Sequence, residues 1–145
     1  MQAFITEATN RPGEFARHAA AIAARGINVE PICLAFGDRG GCAFFAQDEP
    51  GVRRALTEAQ IGFREVPCVT IALEDQPGTA AAAAARLADA GVNIELFAPV
   101  DFHEGRRATI AVGVDKVEEA RRALSDLLTE WTIPTSRVHA GATAT

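Results

Sequence analysis

Two loops and two turns hold the residues whose types and spacing can do chemistry. The loops are Asn10-Arg11-Pro12-Gly13 and Asp75-Gln76-Pro77-Gly78; the turns are Gly26-Ile27-Asn28-Val29 and Gly91-Val92-Asn93-Ile94. A Pro-Gly step that opens a helix presents backbone N–H groups and the positive end of the helix dipole, a setting suited to a carboxylate. Gly13 and Gly78 carry no Cβ, so a ligand can approach the backbone closely. Asn28 and Asn93 each offer a donor and an acceptor, matched to the ammonium and carboxylate of an amino acid. The same residues can also serve simply to start and stop helices. Arg11 can hold a carboxylate through both guanidinium arms, although a solvated surface arginine is the plainer reading. Phe15 either lines an apolar pocket or belongs to the core. The second loop has Gln76, Thr79 and Ala80 where the first has Arg11, Glu14 and Phe15. One copy is therefore expected to bind ligand better than the other.

Other chemistry finds no constellation. His18, His103 and His139 are scattered, with no metal-ligand spacing. There is no P-loop, no G-x-S-x-G elbow and no dinucleotide fingerprint. Glu118 and Glu119 are adjacent on a helix and point apart. Arg106-Arg107 after Glu104 can bind an anion, but a solvated hairpin is the plainer reading. The expectation is no catalytic residue, no metal and no cofactor. The 145 residues carry a net charge of −5 with acids and bases interleaved, which excludes a general nucleic-acid binder needing a basic face. No apolar run approaches the roughly 20 residues of a membrane span. The start, Met1 to Glu7, lacks the pattern of a signal peptide, so a cytoplasmic protein is expected. Cys33, Cys42 and Cys68 form no C-x-x-C pair and sit in strand-like apolar runs. They read as free, buried thiols, with Cys33 and Cys42 flanking a hairpin that can bring them close.

The elements that must position these residues occur twice. Pro12-Gly13 returns 65 positions on as Pro77-Gly78, and Gly26-Ile27-Asn28-Val29-Glu30 returns at the same offset as Gly91-Val92-Asn93-Ile94-Glu95. Arg53-Arg54-Ala55-Leu56 returns as Arg121-Arg122-Ala123-Leu124, three positions later than that offset requires, so three residues are inserted before the second copy's last helix. Strands are expected at 3–6, 29–36, 43–47, 63–66, 68–73, 94–102 and 108–114, the strand at 63–66 running on into the second copy through Pro67. Helices are expected at 14–25, 50–59, 79–90 and 116–129. Gly26 and Gly91 stand where left-handed C-caps fall. Ala16, Ala19, Ala20, Ile22 and Ala23 read as the apolar stripe of the first helix, and Ala81, Ala84, Ala85, Leu87 and Ala88 as that of the third. The fold class is α+β: two ferredoxin-like βαββαβ domains in tandem, antiparallel sheets with helices on one face. The domains are expected at 1–66 and 67–135, followed by a disordered tail at 136–145.

These motifs resemble the ACT domain family, whose pattern is a strand, an Asp-x-Pro-Gly loop, a helix, a Gly-Ile-Asn-Ile turn and a strand. The second copy matches with Asp75-Gln76-Pro77-Gly78 and Gly91-Val92-Asn93-Ile94; the first departs with Asn10 where Asp is usual. The resemblance covers about residues 3 to 130. It implies a regulatory protein that binds a small molecule, commonly an amino acid, and so regulates a partner protein. The site it implies lies between the first loop of one domain and the helix–strand turn of its neighbour. The implied ligand residues are Asn10, Arg11, Pro12, Gly13, Glu14, Phe15, Ile27, Asn28 and Val29, with Asp75, Gln76, Pro77, Gly78, Thr79, Val92, Asn93 and Ile94 from the second copy. A homodimer is expected, since symmetric pairs are the commonest assembly. Two alternatives stand beside this reading. One is an interaction and oligomerisation module with a vestigial ligand site; the other is a small enzyme of the acylphosphatase kind, for which no phosphate-cradling loop is present.

Overall fold

Short β-branched runs alternate with alanine-rich segments closed by glycine, and the chain folds accordingly. The computed structural model describes residues 1–133. The order is β1 (Gln2–Thr9), α1 (Glu14–Ala23), β2 (Glu30–Phe36), β3 (Arg39–Phe45), α2 (Glu49–Glu58), β4 (Phe63–Glu74), α3 (Thr79–Asp89), β5 (Ile94–His103), β6 (Arg107–Val114) and α4 (Val117–Ala123). All six strands are antiparallel and form one sheet in the order β2-β3-β1-β4-β6-β5. The tail expected at 136–145, with His139, lies outside the described residues.

The closing strand expected at 63–66 and the opening strand expected at 68–73 are one strand, β4. Its first part pairs with β1, from Phe63↔Thr6 to Pro67↔Gln2. Its second part pairs with β6, from Cys68↔Gly113 to Glu74↔Arg107. Pro67 has no N–H to offer a ladder, and it stands where the pairing passes from one neighbour to the other. Along the edge that β1 occupies, Leu127 and Thr129 take over: Ala72 donates to the Leu127 carbonyl at 2.8 Å and Thr129 to the Thr70 carbonyl at 3.0 Å.

Alternation along β4 fixes the faces. Phe63, Val69, Ile71 and Leu73 pack with the helix-side clusters, whereas Val66 and Cys68 point the other way. All four helices therefore cover one face. On the other face, Ala3, Phe45, Val66, Cys68 and Ala111 are buried together with Ile133, and Trp131 sets its edge against Phe45 with ring centroids 5.8 Å apart. The sheet curls over this face. Ile32 and Leu34 of β2 and Leu96 and Ala98 of β5 line one apolar cavity of about 570 Å³, and Arg64 of β4 pairs with Glu95.

Several expectations need correction. Of the expected stripes only Ile22 of α1 and Leu87 of α3 are buried; Glu14 and His18 join the first and Ala83 the second, in place of the alanines expected. Each helix is turned so that its one large aliphatic side chain enters the core, which leaves Ala16, Ala20, Ala23, Ala81, Ala85 and Ala88 outward. Helix α4 ends at Ala123 rather than near Thr129, because Arg86 Nε donates to the Ala123 carbonyl at 2.9 Å and the following residues are drawn to β4. The three inserted residues are not one loop. The turn Gly37-Asp38 becomes three residues, 104–106, and β5 carries bulges at Glu95 and Val100. Cys33 is exposed, since β2 is an edge strand, while Cys42 and Cys68 are buried.

Candidate functional site

Asn10 fixes the first loop against the β2–β3 turn. Its N–H donates to the Asp38 carbonyl and its Nδ2 to the Gly37 carbonyl, both at 2.9 Å. Gly13 then caps α1 with φ 89°, a left-handed conformation, and no side chain caps the helix there. The N–H groups of a first helical turn have no partner within the helix; that of Glu14 turns back to the Arg11 carbonyl at 3.4 Å, and those after it face the open end of α1. The second loop repeats the device. Asp75 N–H donates to the Arg106 carbonyl of the β5–β6 turn at 2.6 Å, and Gly78 caps α3 with φ 94° and no side-chain cap. An added Cβ at Gly13 or Gly78 would meet nothing within 4 Å.

Beneath the first loop lies a charged network that the second lacks. Glu14 accepts from Arg11 Nε at 2.9 Å and from Arg17 Nη2 at 3.3 Å. The hydrogen bond from Arg11, then that from Arg17, holds its carboxyl below the usual range. His18 is fully buried and bridges Thr6 Oγ1, 2.8 Å from Nδ1, and Arg17 Nη2, 3.1 Å from Nε2. Arg17 can only donate, so Nε2 is the acceptor and Nδ1–H donates to Thr6. Thr6 in turn donates to the Cys42 carbonyl at 3.4 Å. Burial, then the Arg17 charge, pushes the His18 pKa down. In the second copy Thr79, Ala82 and Ala83 occupy the places of Glu14, Arg17 and His18. Thr79 Oγ1 donates to the Glu74 carbonyl at 2.8 Å instead.

Two cavities flank the first loop. One, of about 230 Å³, is lined by Asn10, Arg11, Glu14 and Phe15 together with Cys33, Leu34 and Cys42. Phe15 is half exposed and stacks nearly parallel on Phe44, centroids 6.5 Å apart, so it is both a cavity wall and a cover on the core. The other, of about 340 Å³, is polar and lined by Glu7, Arg11, Glu14, Arg17 and Arg39.

The Gly-x-Asn turns sit elsewhere. Gly26 and Gly91 have φ 69° and 68° and close α1 and α3. Ile27 and Val29 pack on the first helix-side cluster, and Val92 and Ile94 on the second. Asn28 lines a separate cavity of about 260 Å³ with Arg25, Gln47, Asp48 and Ile133. Asn93 N–H donates to Asp115 Oδ1 at 2.8 Å. Each loop and the turn after it lie at opposite ends of one helix, about 15 Å apart at 1.5 Å per residue, and none of these cavities joins a loop to a turn. Sequence reasoning missed Thr6, Arg17, His18 and Arg39. The i, i+3 and i+4 spacing of Glu14, Arg17 and His18 was the available signal. Among the described residues no group of three His, Cys, Asp or Glu could hold a metal ion, and no helix is long and apolar enough to cross a membrane.

Solved structures share this arrangement. A crystal structure of a Bacteroides thetaiotaomicron protein matches at TM-score 0.71 and 18% identity, covering 88% of this chain and 90% of its own. The ligand-free regulatory subunit of aspartate kinase from Thermus thermophilus matches at TM-score 0.59 and 26% identity, covering 87% and 90%. That from Thermus flavus matches at TM-score 0.58 and 23% identity, covering 86% and 90%. The chain has the fold of these regulatory subunits. No protein-family model and no curated protein matches the sequence.

Proposed function

We propose that the chain is a non-catalytic, cytoplasmic regulatory protein of the ACT type, built of two repeats at 1–66 and 67–135, which binds an amino acid. The observation that carries the reading is the pair of uncapped left-handed glycines, Gly13 and Gly78, opening α1 and α3 beside a turn of the neighbouring hairpin. The likeness to aspartate kinase regulatory subunits along nearly the whole length of each chain supports it. The ligand residues are those of the loops, Asn10 to Phe15 and Asp75 to Thr79. The Gly-x-Asn turns contribute from the second chain of a homodimer, since within one chain they stand a helix length away. The first loop binds the tighter, because Arg11 and Phe15 give it a cation and an apolar wall that Gln76 and Ala80 do not.

A thermal-shift titration of the purified protein against the common amino acids tests this. A ligand that binds only the folded state raises the melting temperature and adds about 2.7 kcal/mol at a hundredfold excess over its dissociation constant. A saturable rise from one amino acid, reduced in Arg11→Ala, is the expected result; no rise from any of them overturns the reading. A second reading, an interaction module with a vestigial site, draws on Leu34 and Phe36 of the edge strand β2, 76% and 90% exposed. That reading takes over if no amino acid binds and Phe36→Ser still abolishes self-association in sedimentation.

A further inference from the structure

Cys33 and Cys42 stand directly opposite each other in the β2–β3 ladder. Residues so paired have Cα atoms about 4.5–5.5 Å apart, inside the window of about 4.4–6.8 Å that a disulfide requires. Their Sγ atoms are 2.7 Å apart, within an ångström of the roughly 2.05 Å of a covalent S–S bond. Both thiols line the cavity beside the first loop, with Asn10, Arg11 and Phe15. The corresponding pair of the second copy is Pro99 and Ile110, so the arrangement belongs to the first copy alone. We propose that Cys33 and Cys42 are a thiol modification site that closes into a reversible disulfide, tying the edge strand β2 to β3 in the wall of the first-loop cavity.

The co-reactant is a small disulfide, RSSR. Cys33, the exposed partner, meets it first: its thiolate attacks one sulfur, the R–S–S–R bond breaks, and RS⁻ leaves and takes a proton. The Cys42 thiolate then attacks the Cys33 sulfur of the mixed disulfide and expels the second RS⁻. Two protein thiols lose two electrons and two protons, and one RSSR becomes two RSH. A small dithiol reverses both steps. The reaction is slow near neutral pH, since only the thiolate attacks. Although Cys33 is exposed, its sulfur is partly desolvated where it faces Cys42; this, then the hydrogen bond with Cys42, pushes the Cys33 thiol up to about 12. Cys68 stays outside it. That residue is buried, with its thiol donating to the Val66 carbonyl at 3.4 Å.

The inference stands apart from the ligand-binding reading, and its test needs no ligand. Fully reduced full-length protein is incubated with glutathione disulfide, quenched with acid, and alkylated in denaturant before intact-mass and peptide analysis. The expected result is a single alkylated cysteine, Cys68, and a crosslinked peptide joining Cys33 to Cys42, with all three cysteines alkylated again after reduction. Three alkylated cysteines after prolonged incubation, or glutathione retained on Cys33, overturns the proposal, as does a chain-to-chain link. In Cys33→Ser, Cys42 remains fully alkylatable; its blockage by Cys68 in that variant equally overturns the pairing.

Discussion

At the residue scale the caps and the buried imidazole carry sharp consequences. An added methyl at Gly13 or Gly78 meets open space, so the only cost of an alanine there is the left-handed backbone, about 1–2 kcal/mol. Denaturant unfolding of Gly13→Ala and Gly78→Ala should show that loss in each, with the slope unchanged. His18 gives a pH dependence. Its folded pKa is depressed, chiefly by burial, so above the ordinary histidine value of about 6.5 both states are neutral and the full stability is present. As pH falls below that value the unfolded chain takes up a proton that the folded chain resists, and stability falls until the folded pKa is passed. Glu14 is depressed too, by Arg11 and then Arg17, but its contribution is lost only lower, as pH falls from the ordinary carboxylate range of about 4. Unfolding measured at pH 7.5 and 5.5 should therefore show a loss that His18→Leu reduces. The loops, their glycines and the difference between the copies were legible from residue types. His18 was missed, because its spacing from Glu14 and Arg17 places the three on one helix face without telling whether that face is buried or solvated.

At the element scale, ends were more legible than phases. Asp48 caps α2, its Oδ1 accepting from Gly51 N–H at 2.9 Å, with Pro50 in the first turn. Asp48→Ala should cost about 1 kcal/mol. Gly51→Ala should cost more, since its Cβ would lie 2.1 Å from Asp48 Oδ2 and 2.7 Å from Ile27 Cδ1. Thermal unfolding of both variants checks the order. Gly26 and Gly91 marked the helix ends correctly because a left-handed C-cap is a local requirement. Ile22 and Leu87 were placed correctly in the apolar stripes, whereas the alanines around them misled because alanine is indifferent to burial and the large side chains decide how the helix turns. The run of β4 through Pro67 into the second copy was legible, since β-branched and apolar residues flank the proline on both sides. The structure places it where the ladder changes neighbours.

At the scale of the molecule, the repeats do not stand as separate bodies. They share β4, and the segment after α4 crosses to the first copy, where Trp131 meets Phe45 and Ile133 is buried against Ala3 and Val66. Unfolding should accordingly be one cooperative transition. Fluorescence of Trp131, the only tryptophan, should report the same midpoint as backbone circular dichroism; two separated midpoints would show that the halves unfold independently. Ile133→Ala should lower stability by about 2 kcal/mol or more and shift both signals together.

The shared strand also limits how such a chain can diverge. Between the copies, extra residues have accumulated at a hairpin turn and at two bulges in the outer strand β5, where a neighbour is present on one side only. The twelve residues of β4, a rod of about 40 Å, offer no such latitude. One residue gained or lost within it would reverse the facing of everything beyond, exchanging core for solvent in one half while the other stayed correct. Descendants of this duplication can lengthen at their margins, but they inherit the central strand at fixed length.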